Sequence, residues 1–163
     1  MLLRMNAKMP ELKRCFESAG FTDVRTLLSS GNVVFSTRTS APEALERKAE
    51  KAMQSELDRV FGTIVRSAQY LQELIEADPF SEFDLPPAAK RVVTFLREAP
   101  GAKAKLPIEL EGASILKLTG AEILSAYVPN PAKGPVFMAL IERTFGTNIT
   151  TRTLDTVRKC ARA

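Results

Sequence analysis

Three threonines and an arginine stand together near the end of the chain: Thr150, Thr151, Arg152 and Thr153. The apolar spacing after them predicts a helix that begins near Leu154. Free amides at a helix start, hydroxyl groups and a guanidinium are the donors that bind a phosphate or a carboxylate. We therefore expect this segment to bind an anion. The alternative is a threonine N-cap beside a solvated arginine, and Asp155 would oppose an anion there.

Polar residues elsewhere offer two further candidate surfaces. Arg4 and Lys8 would form a second wall of the same pocket if the two ends of the chain meet in space, and the alternative is a frayed terminus. Ser29, Ser30 and Asn32 surround a predicted turn. Because turns need such residues for backbone reasons alone, we interpret these three as structural.

The chain contains no histidine, so a Ser-His-Asp triad within one chain is excluded and the most frequent metal ligand is absent. None of the remaining acids and bases has a partner at a recognisable spacing. They are the carboxylates of Glu43, Glu73, Glu76 and Asp78 and the phenols of Tyr70 and Tyr127. We predict no catalytic residue, no metal site and no cofactor.

Cys15 and Cys160 lie far apart in sequence, and each falls on an apolar stripe with helical spacing. This pattern favours two buried thiols, although a disulfide between them is left open. No apolar run reaches the roughly 18 residues of a membrane span, and the first residues lack the apolar core of a secretory signal. We expect a cytoplasmic protein with no membrane partner.

The formal net charge is +4 and the pI is near 9.2. The basic residues are dispersed, a pattern typical of solvated faces, so the charge favours anionic partners only weakly. The predicted strands carry few aromatic residues for base stacking and no RNP signature. We do not expect a nucleic-acid partner, and weak binding to a nucleic-acid backbone is retained as an alternative.

Periodicity and turn residues predict helices and strands in a regular order. Gly20 should end a first helix, and Ser40 and Glu43 have the spacing of a capping box for a second that runs to about Phe61. Residues 147–153 read as a polar segment. The predicted strands are the tail at 1–4 and residues 23–29, 32–37, 63–66, 91–97, 113–118 and 122–128. The nearly continuous apolar run at 91–97 suggests a central strand. Thr119 and Gly120 should form the turn of a second hairpin, and Ser67 should cap another helix.

This order repeats a βαββαβ plan. We predict an α+β fold with two ferredoxin-like halves in tandem, in which antiparallel-rich sheets carry helices on one face. The first half should span residues 1–80 and the second residues 91–163, including a carboxyl-terminal helix. Residues 81–90 are acidic and contain proline, and they form the predicted linker.

Several short segments carry a family resemblance through their order and spacing. They are residues 19–25, 30–35, 66–67, 78–80, 93–96, 150–152 and 155–157. Together they resemble the bacterial domain of unknown function family numbered 1697, whose members share two ferredoxin-like halves. The resemblance implies the fold and brings no activity with it.

Family members typically open with a full strand that runs into Leu-Leu-Arg-Gly-Ile-Asn-Val-Gly-Gly, whereas this sequence has only Leu2, Leu3 and Arg4 before Met5 and Asn6. The resemblance therefore implies a shortened amino terminus without the first half of the strand and the glycine-rich turn. A missing first strand would expose an unpaired sheet edge, so we expect a homo-oligomer formed through that edge.

These observations predict a non-catalytic bacterial module that binds a small anionic ligand or a protein partner between its halves. One alternative is an enzyme that acts on a phosphorylated or nucleotide-like substrate. Another is a folded remnant that has lost its ligand.

Overall fold

A computed structural model describes most of the chain. The residues it describes are 2–3, 9–27, 32–38, 41–57, 62–97, 108–110, 113–128, 136–146 and 148–163. The chain divides into two compact units. The first comprises Met1–Glu73 with Arg158–Ala163, and the second comprises Leu74–Val157.

The first unit contains a βαββαβ motif, and its strands form one antiparallel sheet in the order β2-β3-β1-β4. This is the strand order of a ferredoxin-like unit, so the predicted fold class is confirmed. Its elements are β1 (Leu2–Leu3), α1 (Met9–Ser18), β2 (Thr22–Leu27), β3 (Asn32–Ser36), α2 (Pro42–Glu56) and β4 (Thr63–Ile64).

Apolar residues at helical spacing on α1 and α2 face this sheet. Phe16 packs against Phe21 and Phe35, with ring centroids 5.4 and 5.9 Å away. The core formed there is fully buried. It consists of Leu12, Cys15, Phe16, Phe21, Val24, Val33, Ala49, Met53 and Val65.

The two helix ends in this unit have local causes. Gly20 has φ +96°, a left-handed conformation that glycine adopts without steric strain, and it ends α1 as predicted. The predicted Ser40 cap of α2 is wrong, since the N-cap is Ala41, which makes no side-chain cap hydrogen bond. Pro42 explains the shift because proline suits the first helical position and keeps the preceding residue extended.

The first strand lies inside the sheet. Leu2 pairs with Asn32 of β3 on one side and with Ile64 of β4 on the other. The sequence analysis expected an unpaired sheet edge where the first strand is shortened. In the sheet, β1 lies between β3 and β4, so it is not an edge strand. Self-association stays a prediction without that structural basis.

The second unit contains an antiparallel sheet of five strands in the order β6-β7-β8-β5-β9. The apolar strand β5 is central, as its near-continuous hydrophobic run predicted. Helices α3 (Ala68–Glu76) and α5 (Leu154–Arg162) contribute residues to both units. The other elements are β5 (Lys90–Leu96), β6 (Ile108–Leu110), β7 (Ala113–Thr119), β8 (Glu122–Tyr127), α4 (Val136–Phe145) and β9 (Ile149–Thr153).

The sequence analysis predicted a polar segment at 147–153 and no strand there, which is wrong for Ile149–Thr153 because these residues form β9 and pair with β5. Its threonines and isoleucine are β-branched and fit a pleated sheet despite their polarity. The hairpin between β7 and β8 turns at Gly120, with φ +60°, where the turn residues predicted it. The core of this unit includes Val92, Ile115, Ile123, Ile141 and Ile149.

Residues 74–80 belong to the second unit, and residues 158–163 belong to the first. The predicted division into residues 1–80 and 91–163, with a linker at 81–90, stays a prediction.

Each helix among the described residues is too short or too polar to span a bilayer.

Candidate functional site

The predicted anion-binding residues lie on β9, which is an edge strand of the second sheet. Thr151 pairs with Thr94 of β5, and their hydroxyl oxygens lie 2.8 Å apart. Thr150 is 3% exposed. The segment is therefore a strand in which Thr150 is buried and the Thr151 hydroxyl contacts a neighbouring strand, which differs from the polar segment that the sequence suggested.

Arg152 is 8% exposed, so it is not the solvated arginine of the alternative interpretation. Its Nη1 donates to Thr150 Oγ1 at 2.7 Å and to the Thr151 carbonyl oxygen at 2.8 Å. A guanidinium has five N–H donors, and part of this set is used within the strand. The side chains of this segment therefore stabilise the sheet, and their use by a ligand stays a prediction.

Thr153 acts as the N-cap of α5. The alternative interpretation of this segment had predicted a threonine cap there. Its Oγ1 accepts the backbone amide of Thr156 at 3.3 Å and lies 3.0 Å from the Thr156 hydroxyl. Threonine caps of this kind satisfy amides that the helix leaves free. The other two predicted ligand residues, Arg4 and Lys8, lie outside the described residues.

A cleft in the first unit, which the sequence analysis missed, has the features of a binding site. It is a cavity of about 380 Å³ bounded by residues 34–38 at the end of β3 and by residues 65–68 at the start of α3. Clefts that hold small ligands have volumes of ~300–1,000 Å³. We call it the β3–α3 cleft.

The walls of the β3–α3 cleft are largely apolar. Side chains of α2, of α3 and of the sheet form these walls, including Phe35, Leu45, Val65 and Leu71. Cys160 of α5 also lines the cleft, and its thiol is buried and free of any disulfide. A ligand with a hydrophobic part would bury that part against these side chains.

The polar groups at this cleft carry positive charge. Arg38 and Arg66 both line it, and no aspartate or glutamate occurs among its described lining residues. Arg66 Nη1 donates to the Val65 carbonyl oxygen at 3.0 Å, and its guanidinium lies 6.0 Å from the Tyr70 ring centroid. The backbone and ring contacts hold this arginine at the cleft wall.

Two helices also begin at the cleft. Pro42 is the first residue of α2, and Ser67 caps α3 by accepting the Tyr70 amide at 3.0 Å. Helix starts carry partial positive charge, which adds to the field of the two arginines. The electrostatic environment therefore favours an anionic group.

A wider depression of about 630 Å³ adjoins the β3–α3 cleft and shares residues 36–38 and Leu45 with it. Lys48 lines the depression, and its Nζ lies 4.7 Å from the Phe21 ring centroid. Here too the described lining residues include no carboxylate. The positive surface thus extends from Arg66 past Arg38 to Lys48.

The acids and phenols considered as catalytic groups do not line either cavity. Glu43, Glu73, Glu76 and Asp78 are exposed, and Tyr127 belongs to β8 in the other unit. Among the residues that the structure describes, no cluster of three or more cysteine, aspartate or glutamate side chains could hold a metal ion.

Comparison with solved structures shows a similar fold. The conserved bacterial protein SP0830 from Streptococcus pneumoniae superposes with a TM-score of 0.66 at 18% sequence identity. The alignment covers 99% of this chain and 94% of that one.

Among curated proteins, no relative matches the sequence. A family model described as protein of unknown function (DUF1697) matches residues 4–123, which is most of the chain. The predicted family is confirmed, and the chain belongs to the DUF1697 family of proteins of unknown function.

Proposed function

We propose that this protein is a binding module that takes a small anionic ligand with an apolar part into the β3–α3 cleft. The observation that carries the proposal is the composition of the cleft, in which Arg38 and Arg66 stand beside apolar side chains. This arrangement would pair with a phosphate or a carboxylate at one end of a ligand and bury a hydrocarbon at the other.

Binding accounts for these residues better than catalysis does. Ser67 is the hydroxyl nearest the helix start, and its oxygen is used to cap α3. A serine nucleophile needs a general base within hydrogen-bond reach. The described residues of the cleft supply neither a carboxylate nor an imidazole for that task.

Calorimetry and thermal shift with two matched pairs of compounds test the proposal. Hexanoate and hexyl phosphate carry the charge, whereas hexanamide and hexanol present the same chain without it. We expect the anions to bind and raise the melting temperature, because a ligand that binds only the folded state stabilises it. The neutral compounds should bind at least tenfold more weakly.

A pair of charge-matched variants locates the site. Arg38→Gln removes a cleft arginine, and Arg14→Gln removes an exposed arginine of α1 that does not line the cleft. We expect Arg38→Gln to weaken hexyl phosphate binding about tenfold, consistent with the loss of one charge-assisted hydrogen bond. Equal effects of the two variants, or equal binding of hexanol and hexyl phosphate, would overturn the proposal.

A further inference from the structure

The depression beside the β3–α3 cleft is lined by two cations. Its volume is about 630 Å³, and Arg38 and Lys48 both contribute to its walls. Ser36 and Thr37 line it as well and carry hydroxyl groups. Guanidinium, ammonium and hydroxyl groups are the side-chain donors that bind phosphate oxygens. The depression therefore has the composition of a phosphate site.

Lys48 is held at the depression by contacts with the residues that follow α1. Its Nζ lies 4.7 Å from the centroid of the Phe21 ring, which is a cation–π contact. A Cβ atom at Gly20 would lie 3.6 Å from the same nitrogen, so the ammonium rests against a position that has no side chain. The charge of Lys48 therefore has a defined place in the wall of the depression.

The helix that carries Lys48 supplies no carboxylate to neutralise it. Residues three and four positions away along α2 are Ala44, Leu45, Lys51 and Ala52. Those are the positions at which side chains of a helix form ion pairs. The charge of Lys48 is therefore not offset along its own helix, and it favours an anion in the depression.

The two cavities meet along α2, and their spacing limits how far apart two anionic groups can lie. Leu45 lines both cavities, and Lys48 lines the depression one helical turn later. Three residues of a helix correspond to a rise of about 4.5 Å. Arg38 also lines both cavities. This arrangement suits two directly linked phosphates, the first at Arg38 and the second at Lys48.

We propose that the ligand is a diphosphate monoester with an apolar substituent. The substituent lies in the β3–α3 cleft, the phosphate that carries it lies at Arg38, and the terminal phosphate lies at Lys48. This inference rests on the proposed function and specifies the class of its anionic ligand.

Hexyl phosphate and hexyl diphosphate test the inference, because they place one phosphate or two linked phosphates on the same alkyl chain. Isothermal titration calorimetry is run with EDTA, so that no divalent cation bridges the phosphates and the protein. We expect hexyl diphosphate to bind at least about tenfold more tightly, since its terminal phosphate adds a charge-assisted contact with Lys48.

A hexane chain with a phosphate at each end is the control for total charge. Its two phosphates are separated by the whole alkyl chain. We expect it to bind no more tightly than hexyl phosphate, because its second phosphate would have to leave water for the largely apolar walls of the cleft.

Charge-matched variants of α2 locate the terminal phosphate. Lys48→Gln should reduce the preference for hexyl diphosphate over hexyl phosphate to below about threefold, because the contact with the second phosphate is lost. Lys48→Arg keeps the charge and the cation–π contact and should retain the preference. Lys51→Gln removes an exposed cation of the same helix that lines neither cavity, and it should also retain the preference.

The possible results separate this inference from the proposed function. Equal binding of hexyl phosphate and hexyl diphosphate would overturn the diphosphate assignment and leave the anion-binding function standing. A preference for diphosphate that survives Lys48→Gln, or that Lys51→Gln also abolishes, would reject the assigned position of the terminal phosphate. Equal binding of hexyl diphosphate and the chain with a phosphate at each end would show that linked phosphates are not required. Failure of all three compounds to bind would overturn both proposals.

Discussion

The carboxylate of Glu46 accepts the backbone amide of Val65 at 2.9 Å and is 2% exposed. Glu50, one helical turn later, accepts the amide of Thr63 at 3.3 Å. Two successive turns of α2 are thus joined to the outer edge of β4. An exposed strand edge can pair with a strand of another molecule. Here the carboxylates of α2 accept the backbone amides at the outer edge of β4, so these donors are already used.

Replacing Glu46 with alanine should destabilise the protein. The change would leave the buried Val65 amide without its acceptor, at a cost of about 1–3 kcal/mol. Glu46→Gln should lose less because its amide oxygen can still accept the hydrogen bond. Urea denaturation measures both, with Glu17→Ala at an exposed position of α1 as the control. Equal stability of Glu46→Ala and Glu17→Ala would contradict the role of this contact.

The hydroxyls of Thr94 and Thr151 should be energetically coupled, since they lie 2.8 Å apart on paired strands. We expect Thr94→Val and Thr151→Val each to lose stability, and the double variant to lose about 0.5–1.5 kcal/mol less than their sum. Combining Thr94→Val with Thr22→Val, which lies in the other unit, should give additive losses. Additivity within the first pair would show that its hydrogen bond contributes nothing.

Stability should fall at alkaline pH partly because of Cys15. Burial raises the pKa of this thiol above its ordinary value of 9.0, and the nearby Glu56 carboxylate raises it further. The thiol therefore stays neutral in the folded state while it ionises in the unfolded chain. Its stabilising contribution is complete below the unfolded pKa and is lost as pH rises towards the folded one.

Urea denaturation of wild type and Cys15→Ala between pH 7.5 and 10.5 isolates this contribution. We expect the wild type to lose stability more steeply above about pH 9, because the variant lacks the titrating thiol. Parallel curves for the two proteins would show that the folded and unfolded thiols have the same pKa.

Gly20→Ala and Gly146→Ala should each cost about 1 kcal/mol, because both glycines have positive φ after a helix. The space around them is adequate. A methyl group at Gly20 would lie 3.6 Å from Lys48 Nζ, and at Gly146 it would meet nothing within 4 Å. If both variants lower the melting temperature by a similar amount, the loss of stability comes from the positive φ of the backbone. A variant with an unchanged melting temperature would contradict this explanation.

Ser125→Ala should leave stability unchanged or increase it by up to about 1 kcal/mol. Ser125 is fully buried in β8, and its hydroxyl has no hydrogen-bond partner in the part of the chain that the structure describes. Burial of an unpaired hydroxyl is unfavourable, so its removal offsets the small cavity that forms. Thermal denaturation checks this, and a loss greater than 2 kcal/mol would reveal a partner for the hydroxyl.

Much of the fold was predictable because its signals are local. Gly20 and Gly120 have the backbone freedom that their turns require, and the apolar run of β5 indicated a central strand before any contact was known. The family resemblance and the βαββαβ order then gave the architecture. Strand β9 was missed because its threonines look like a polar loop, and only pairing with β5 buries Thr150.

The candidate site was less predictable because it depends on contacts between distant residues. Arg38 follows β3 and Arg66 follows β4. These two residues line the same cleft only because the strand order brings the ends of β3 and β4 close together. The sequence did distinguish Ser67 as a helix cap. The sequence did not indicate that this cap borders a cavity, because a cavity depends on how residues that are distant in sequence pack together.

The division of α5 between the two units has a consequence for synthesis. Gln72 of α3 donates to the carbonyl oxygen of Ala161 at 3.0 Å, so the first unit includes residues translated after the whole of the second. Domains generally fold as they emerge from the ribosome, the amino-terminal one first. The earlier unit can therefore complete its packing only after residues 158–163 have been translated, when the whole of the later unit has already been made.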